Sequence, residues 1–188
     1  MAKGYERSGA RNAALEADAV ELAANADVAL RYVSEGEDQV LDEMIAFSHM
    51  EGDCVMTDMI PRPFNLRKVK KAFSQWQHKL EGKAWNALYI ENHDHPRIIS
   101  RYGSETYRRE SGKMLAAMYI LQRGTPFVYQ GQEIGMTNWR PSDADMYEDV
   151  QSRYYYAHNN LNKNEQERLH KMWRSSRDSA RTPVQWDD

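Results

Sequence analysis

Three short β-prone runs, each leading into a polar cluster and separated by helix-forming stretches, limit most sharply what this chain can fold into. The runs are Asp42 to His49 (DEMIAFSH), Trp85 to Glu91 (WNALYIE) and Phe127 to Gln130 (FVYQ). A loop rich in Pro and Asp is expected from Thr57 to Phe64. After it, Asn65 is placed to cap a helix in which Leu66, Val69, Phe73, Trp76 and Leu80 share one face, the lysines lie off that face, and Gly82 is the stop. A second helix is expected from a Ser104 cap to about Gln122, with its apolar content in Met114, Leu115, Met118, Tyr119 and Leu121, ended by Gly124 and Pro126. The order strand, helix, strand, helix, strand predicts parallel βα units. Such folds build their sites at the carboxyl ends of the strands. Chemistry is therefore expected at His49–Glu51, Asn92–Arg97 and Gln130–Glu133.

Composition narrows the class. The 188 residues fit one domain or a piece of a larger one. A hydrophobic content of 41% is enough for a core and excludes a wholly disordered chain. The formal net charge of −3 lacks the basic signature of a nucleic-acid binder, so no such partner is expected. One cysteine, Cys54, excludes an intramolecular disulfide framework and multi-cysteine metal sites. Mean hydropathy is −0.84, and no apolar run approaches the ~20 residues of a membrane span. Met1 to Val20 carries charges and no apolar h-region, so a soluble cytoplasmic protein without a membrane partner is the expectation. Residues 1–27 are left unassigned, although Asn12 to Leu30 is helix-prone through Ala, Leu and Glu. Residues 137–188 read as a polar, aromatic and partly helical segment.

Three stretches together resemble one enzyme family. The first is Asn92-His93-Asp94-His95-Pro96-Arg97, with Trp85-Asn86 before it and Ser100-Arg101-Tyr102-Gly103 after it. The second is Gly124-Thr125-Pro126-Phe127-Val128-Tyr129-Gln130-Gly131-Gln132-Glu133-Ile134-Gly135-Met136-Thr137-Asn138. The third is Arg177-Asp178-Ser179-Ala180-Arg181-Thr182-Pro183-Val184-Gln185-Trp186-Asp187. In order and spacing they resemble the seventh-strand, eighth-strand and following segments of glycoside hydrolase family 13, in its oligo-1,6-glucosidase, α-glucosidase and trehalose-6-phosphate hydrolase branch. The resemblance covers roughly residues 28–188. It implies an α/β fold, the C-terminal part of a TIM (β/α)8 barrel over residues 28–136, with strands six to eight and an irregular helical tail. It also implies retaining hydrolysis of α-glucosidic bonds in small oligosaccharides, with no cofactor. By the same resemblance Asp94 matches the carboxylate that stabilises the transition state. His93 matches a neighbour that hydrogen-bonds the bound sugar, Arg97 a residue near the substrate pocket, and Arg181 an arginine that reaches the glucose.

Retaining chemistry needs two further carboxyl groups, a nucleophile and an acid/base, about 5–5.5 Å apart. The Gly-Phe-Arg-x-Asp and Val-Gly-Glu patterns that carry them in the family do not occur here, and Val33-Ser34-Glu35 is not assigned as the acid. A complete barrel takes about 250 residues. The chain is expected to begin after the fifth strand, to stop before the last barrel helix, and to be inactive alone. Departures within the motifs leave the substrate open: His95 stands where the branch more often has Gln, Gln132 where it has Glu, and Glu91 where it has Asn.

Plainer readings stand beside these. Asp94 alone is a turn-capping residue, and Arg181 alone a surface arginine. Arg97 either pairs with a neighbouring carboxylate or faces the pocket. His93-Asp94-His95 could hold a metal by side-chain type, but no third ligand is placed nearby, and none is expected. Glu133 is expected to pair with arginines at the barrel mouth. Phe73 and Trp76 are expected in the core, Tyr154–Tyr156 packing the tail onto the barrel, and Cys54 as a buried thiol. Two other functions compete: a non-catalytic carbohydrate- or partner-binding module reusing the barrel, and an all-helical interaction protein whose motifs match by accident.

Overall fold

The computed structural model describes residues 25–34, 41–55, 57–158 and 164–186. Helix α1 (Ala26–Val33) is capped by Asn25, whose side chain accepts from the Asp27 N–H at 3.0 Å. The upstream part of the helix-prone run, residues 12–24, and Glu35 lie outside the described residues. Strand β1 (Glu43–Ile45) follows, then a 3-10 turn (Ser48–Asp53). The expected Pro/Asp loop contains structure instead: β2 (Cys54–Val55) pairs antiparallel with β3 (Thr57–Pro61) in a ribbon that shifts register between Cys54 and Val55. Pro61 sits at the end of that ladder, where its missing N–H is tolerated.

Helix α2 (Leu66–Leu80) forms as its periodicity requires. Asn65 accepts from the Lys68 N–H at 3.1 Å, and Val69, Ala72, Trp76 and Leu80 are buried while the lysines face water. Leu66, in the first turn, is exposed, and Phe73 is half-buried against His49. Gly82 takes a positive φ of 67°, the conformation that ends the helix at no steric cost. Strand β4 (Trp85–Leu88) comes next.

The second helical stretch differs from its expected form. A short α3 (Ile98–Tyr102) comes first, and α4 (Arg108–Ile120) starts four residues after Ser104. Ser104 does not cap it; its N–H donates to Ser111 Oγ at 2.9 Å, a bond that closes the loop instead. Leu115 and Tyr119 are buried, whereas Met114 and Leu121 are exposed. Strand β5 (Thr125–Pro126) falls two residues ahead of the expected run, and the Phe127 N–H still donates to Leu88 O at 2.7 Å.

β1, β4 and β5 form one parallel sheet in the order β1-β4-β5, with Glu43 opposite Trp85 and Ala87 opposite Thr125. α2 lies in the crossover from β1 to β4, and α3 with α4 in the one from β4 to β5, so all three carboxyl ends open on one side. One core joins α1, β1 and α2 through Val33, Met44, Trp76 and Leu80; a second joins Met50, Leu88, Ile98, Leu115 and Tyr119. On the other face of the sheet Ile45 and Trp85 remain 41% and 42% exposed. This is a partial barrel, three parallel strands with helices on one face, and the sheet excludes the all-helical alternative. The tail adds α5 (Val150–His158) and α6 (Glu165–Ser175) and a 3-10 turn (Arg177–Ala180). Tyr155 and Tyr156 pack into the tail's own cluster around Tyr147 and Met172 rather than onto the sheet, and Tyr154 is exposed. Among the described residues no helix is long and apolar enough to cross a membrane.

Candidate active site at the strand ends

The loop after β4 builds the centre of the site. Asn92 Oδ1 accepts from the Asp94 N–H at 2.8 Å, a local turn that leaves the Asp94 side chain half exposed at the strand end. One carboxylate oxygen, Oδ1, takes Arg177 Nη1 at 3.2 Å and Arg181 Nη2 at 3.1 Å. The other, Oδ2, lies 3.3 Å from His93 Nε2. Arg181 also donates through Nε to the His93 carbonyl at 3.0 Å. Three of the four expected site residues, His93, Asp94 and Arg181, therefore meet, although 87 positions separate Asp94 from Arg181.

Arg97 does not join them. It is fully buried, and its guanidinium donates to Glu91 Oε1 at 2.9 Å, to Gln130 O at 2.7 Å and to Ser179 O at 3.2 Å, with Tyr129 stacked over it. Of the two roles open to it, the structure gives the pairing role. Its guanidinium is spent on internal partners, with Nη2 also 3.6 Å from Met136 Sδ. Burial pushes the Glu91 carboxyl up from its ordinary value, and the Arg97 hydrogen bond only partly opposes this. Glu91 thus pairs with Arg97, while Glu133, expected to pair with arginines, is exposed. Tyr129 OH donates to Ala180 O at 3.0 Å, which fastens the 3-10 turn carrying Arg177 to the strand ends.

Sequence reasoning missed two groups. Asp149, buried at the start of α5, accepts from Arg177 Nε at 2.5 Å and from the Ser152 N–H and Oγ at 2.8 and 2.7 Å. Burial alone would raise its carboxyl; the Ser152 and Arg177 hydrogen bonds outweigh that and hold it below the ordinary range. The second is Arg101, buried, which bonds Asp53 Oδ1 at 2.8 Å and the Met50 carbonyl at 2.5 Å, locking the turn after β1 onto α3. Arg177 stood inside a quoted motif. Asp149 carried no local signal, since its partner lies 28 residues away.

A cleft of about 290 Å³ opens over these groups, lined among others by Phe47, Cys54, Asp94, His95, Asp149 and Arg177. Cys54 is buried in its wall. His95 stacks on Tyr89 and lines the same cleft. Among the described residues no group of three or more His, Cys, Asp or Glu side chains converges on a metal-sized site. The arrangement presents a half-exposed carboxylate, Asp94, against which positive charge could develop, beside donors suited to hydroxyl groups, and the Lys68-paired carboxylate of Glu51 lines the same cleft. Asp149 shares Arg177 with it but has its oxygens engaged in the interior, which does not suit a nucleophile.

Comparison with known proteins agrees with this geometry. The family model described as the alpha-amylase catalytic domain matches residues 20–188. An oligo-1,6-glucosidase of Parageobacillus thermoglucosidasius is 46% identical over 130 residues, 68% of this chain and 23% of that protein. A trehalose-6-phosphate hydrolase of Bacillus subtilis is 39% identical over 165 residues, 86% of this chain and 29% of that protein. The crystal structure of the Bacillus licheniformis trehalose-6-phosphate hydrolase superposes with a TM-score of 0.81 at 39% identity, covering 88% of this chain and 30% of that one. The chain spans less than a third of the length of each of these relatives. The match over residues 20–188, with a parallel partial barrel carrying Asp94 at its carboxyl end, means that the chain belongs to the alpha-amylase family of catalytic domains, glycoside hydrolase family 13.

Proposed function

We propose that this chain is the sixth-to-eighth-strand portion of a retaining α-glucosidase that acts on small α-glucosides, and that it supplies the transition-state-stabilising carboxylate, Asp94, but neither nucleophile nor acid. On this reading residues 28–136 are the barrel portion and residues 137–188 the segment that walls the sugar pocket. The observation that carries it is the meeting of His93, Asp94 and Arg181 at the carboxyl end of a parallel sheet. A half-exposed carboxylate flanked by exchangeable donors suits a sugar ring with positive charge growing at its anomeric carbon. The nucleophile and acid patterns are absent from these 188 residues, so the chain alone is expected not to hydrolyse glucosides. A cytoplasmic location belongs to the same proposal.

The test is a transplant. Residues 20–188 replace the matching segment of the Bacillus subtilis relative, and the hybrid and the chain alone are assayed on an aryl α-glucoside. Turnover by the hybrid and none by the chain supports the reading. Turnover by the chain alone that disappears on Asp94→Asn would sink it. A non-catalytic binding module is the alternative, and it expects a hybrid that folds but stays silent.

A further inference from the structure

The groups around Asp94 differ in how firmly they are held. Arg181 and His93 have side chains 41% and 66% exposed, and both reach the carboxylate from the solvent side. Arg177 is less exposed and uses two edges of its guanidinium at once: Nε on Asp149 Oδ1 and Nη1 on Asp94 Oδ1. Asp149 is in turn fixed by Ser152, and the backbone N–H groups of Glu148 and Asp149 both donate to Asp178 Oδ2 at 2.9 Å. Asp178 is the neighbour of Arg177 in sequence, so the turn carrying the arginine and the helix start carrying Asp149 are tied twice.

We propose that Arg177 is a positioning residue: anchored on Asp149, it fixes the side-chain conformation of Asp94, while Arg181 and His93 are the donors that a sugar displaces. This deepens the glucosidase reading, on which it rests, by dividing the donors into a permanent and an exchangeable set. The Asp149 carboxylate, held in its charged form by Ser152 and Arg177, keeps the anchor in place. The fork shape matters, because one planar guanidinium can address two carboxylates and a lysine ammonium on a flexible stem cannot hold both in the same geometry. An ion pair that only fastened the tail would leave Asp94 indifferent to Asp149, which does not appear among the partners of Asp94.

The test reads Asp94 itself. Hα–Hβ scalar couplings of Asp94 are measured by NMR on the full 188-residue chain. The wild type is expected to show the couplings of a single χ1 rotamer, one large and one small or both small, with no averaging to intermediate values. Asp149→Asn and Arg177→Lys are both expected to lose that pattern and give averaged, intermediate couplings, whereas Arg181→Lys keeps it. An averaged wild type, or an Asp94 that stays in one rotamer in both Asp149→Asn and Arg177→Lys, would overturn the proposal. So would Arg181→Lys averaging Asp94 as fully as Arg177→Lys. Amide dispersion in α4 reports whether each variant folds, and if Asp149→Asn does not, the partly exposed Arg177→Lys decides alone. No catalysis is needed, so a silent hybrid would refute the function while leaving this result standing.

Discussion

Replacing Arg97 by methionine should remove most of the stability of the strand-end region. Methionine keeps much of the stem packing, so the loss is mainly electrostatic. It strands Glu91, a buried carboxylate, and it takes a charged donor from the carbonyls of Gln130 and Ser179. Breaking a buried pair costs about 3–5 kcal/mol, and an unsatisfied buried carbonyl about 1–3 kcal/mol. These overlap, and a total of about 4–6 kcal/mol stands against a whole-domain stability of about 5–15 kcal/mol. The cost should depend on pH, and its sign follows from Glu91. Burial raises that carboxyl above 4.5 in the folded chain, and Arg97 opposes the rise. Stability from a raised carboxyl is present below the unfolded value and lost as pH climbs through the folded one. Without Arg97 the folded value rises further, so the penalty should be smallest near pH 4.5 and largest near pH 7. Urea unfolding followed by tryptophan fluorescence measures it at both. Adding Glu91→Gln to Arg97→Met removes the stranded charge and should recover about 2–3 kcal/mol at pH 7. A loss below about 1 kcal/mol, or one that does not grow with pH, would refute the assignment of Arg97 as the internal tie.

Two further outcomes follow from buried groups. His49 donates through Nε2 to Tyr89 O at 2.6 Å, and burial lowers its pKa from 6.5 to about 4. The stability this contributes is present above pH 6.5 and is lost as pH falls towards 4, about 3 kcal/mol in all; His49→Gln should flatten that part of the urea-midpoint profile, and an unchanged slope would count against it. Gly131 has a φ of 84°, and a Cβ there would strike Met136 Sδ and lie 3.2 Å from Arg97 Nη1. Gly131→Ala should therefore destabilise by about 1–3 kcal/mol in the same assay, and a neutral result would show that the turn is free to relax.

Local chemistry announced some elements and not others. Asn65, the apolar face of α2 and Gly82 lie within one 18-residue stretch, and the helix formed between the expected limits. The order of strands and the polar exits at their ends likewise placed Asp94 at an open end of a parallel sheet. The failures involve partners distant in sequence. The β2–β3 ribbon sits in a stretch whose prolines and aspartates read as loop, because its pairing is set by the ladder between Cys54 and Pro61. Ser104 looked like a cap, but Ser111 claims it, and the helix begins beyond it. Arg97 was open to a pairing or a pocket role, and part of its bonding, to Gln130 and Ser179, lies 33 and 82 positions away, beyond any local signal. Asp149 escaped notice for the same reason, being meaningful only once the tail has folded back over the strand ends.

The central claim, that this segment supplies a glucosidase barrel with its stabilising carboxylate, is tested most directly by comparing kcat/KM of the transplanted enzyme with and without Asp94→Asn. The substitution keeps the shape of the side chain and removes its charge. An active hybrid that loses on the order of 10²–10³-fold or more, with an unchanged unfolding midpoint, is the expected result. An active hybrid in which Asp94→Asn retains more than about a tenth of the rate would contradict the claim, because a group that stabilises the transition state by charge cannot be neutralised at so small a cost.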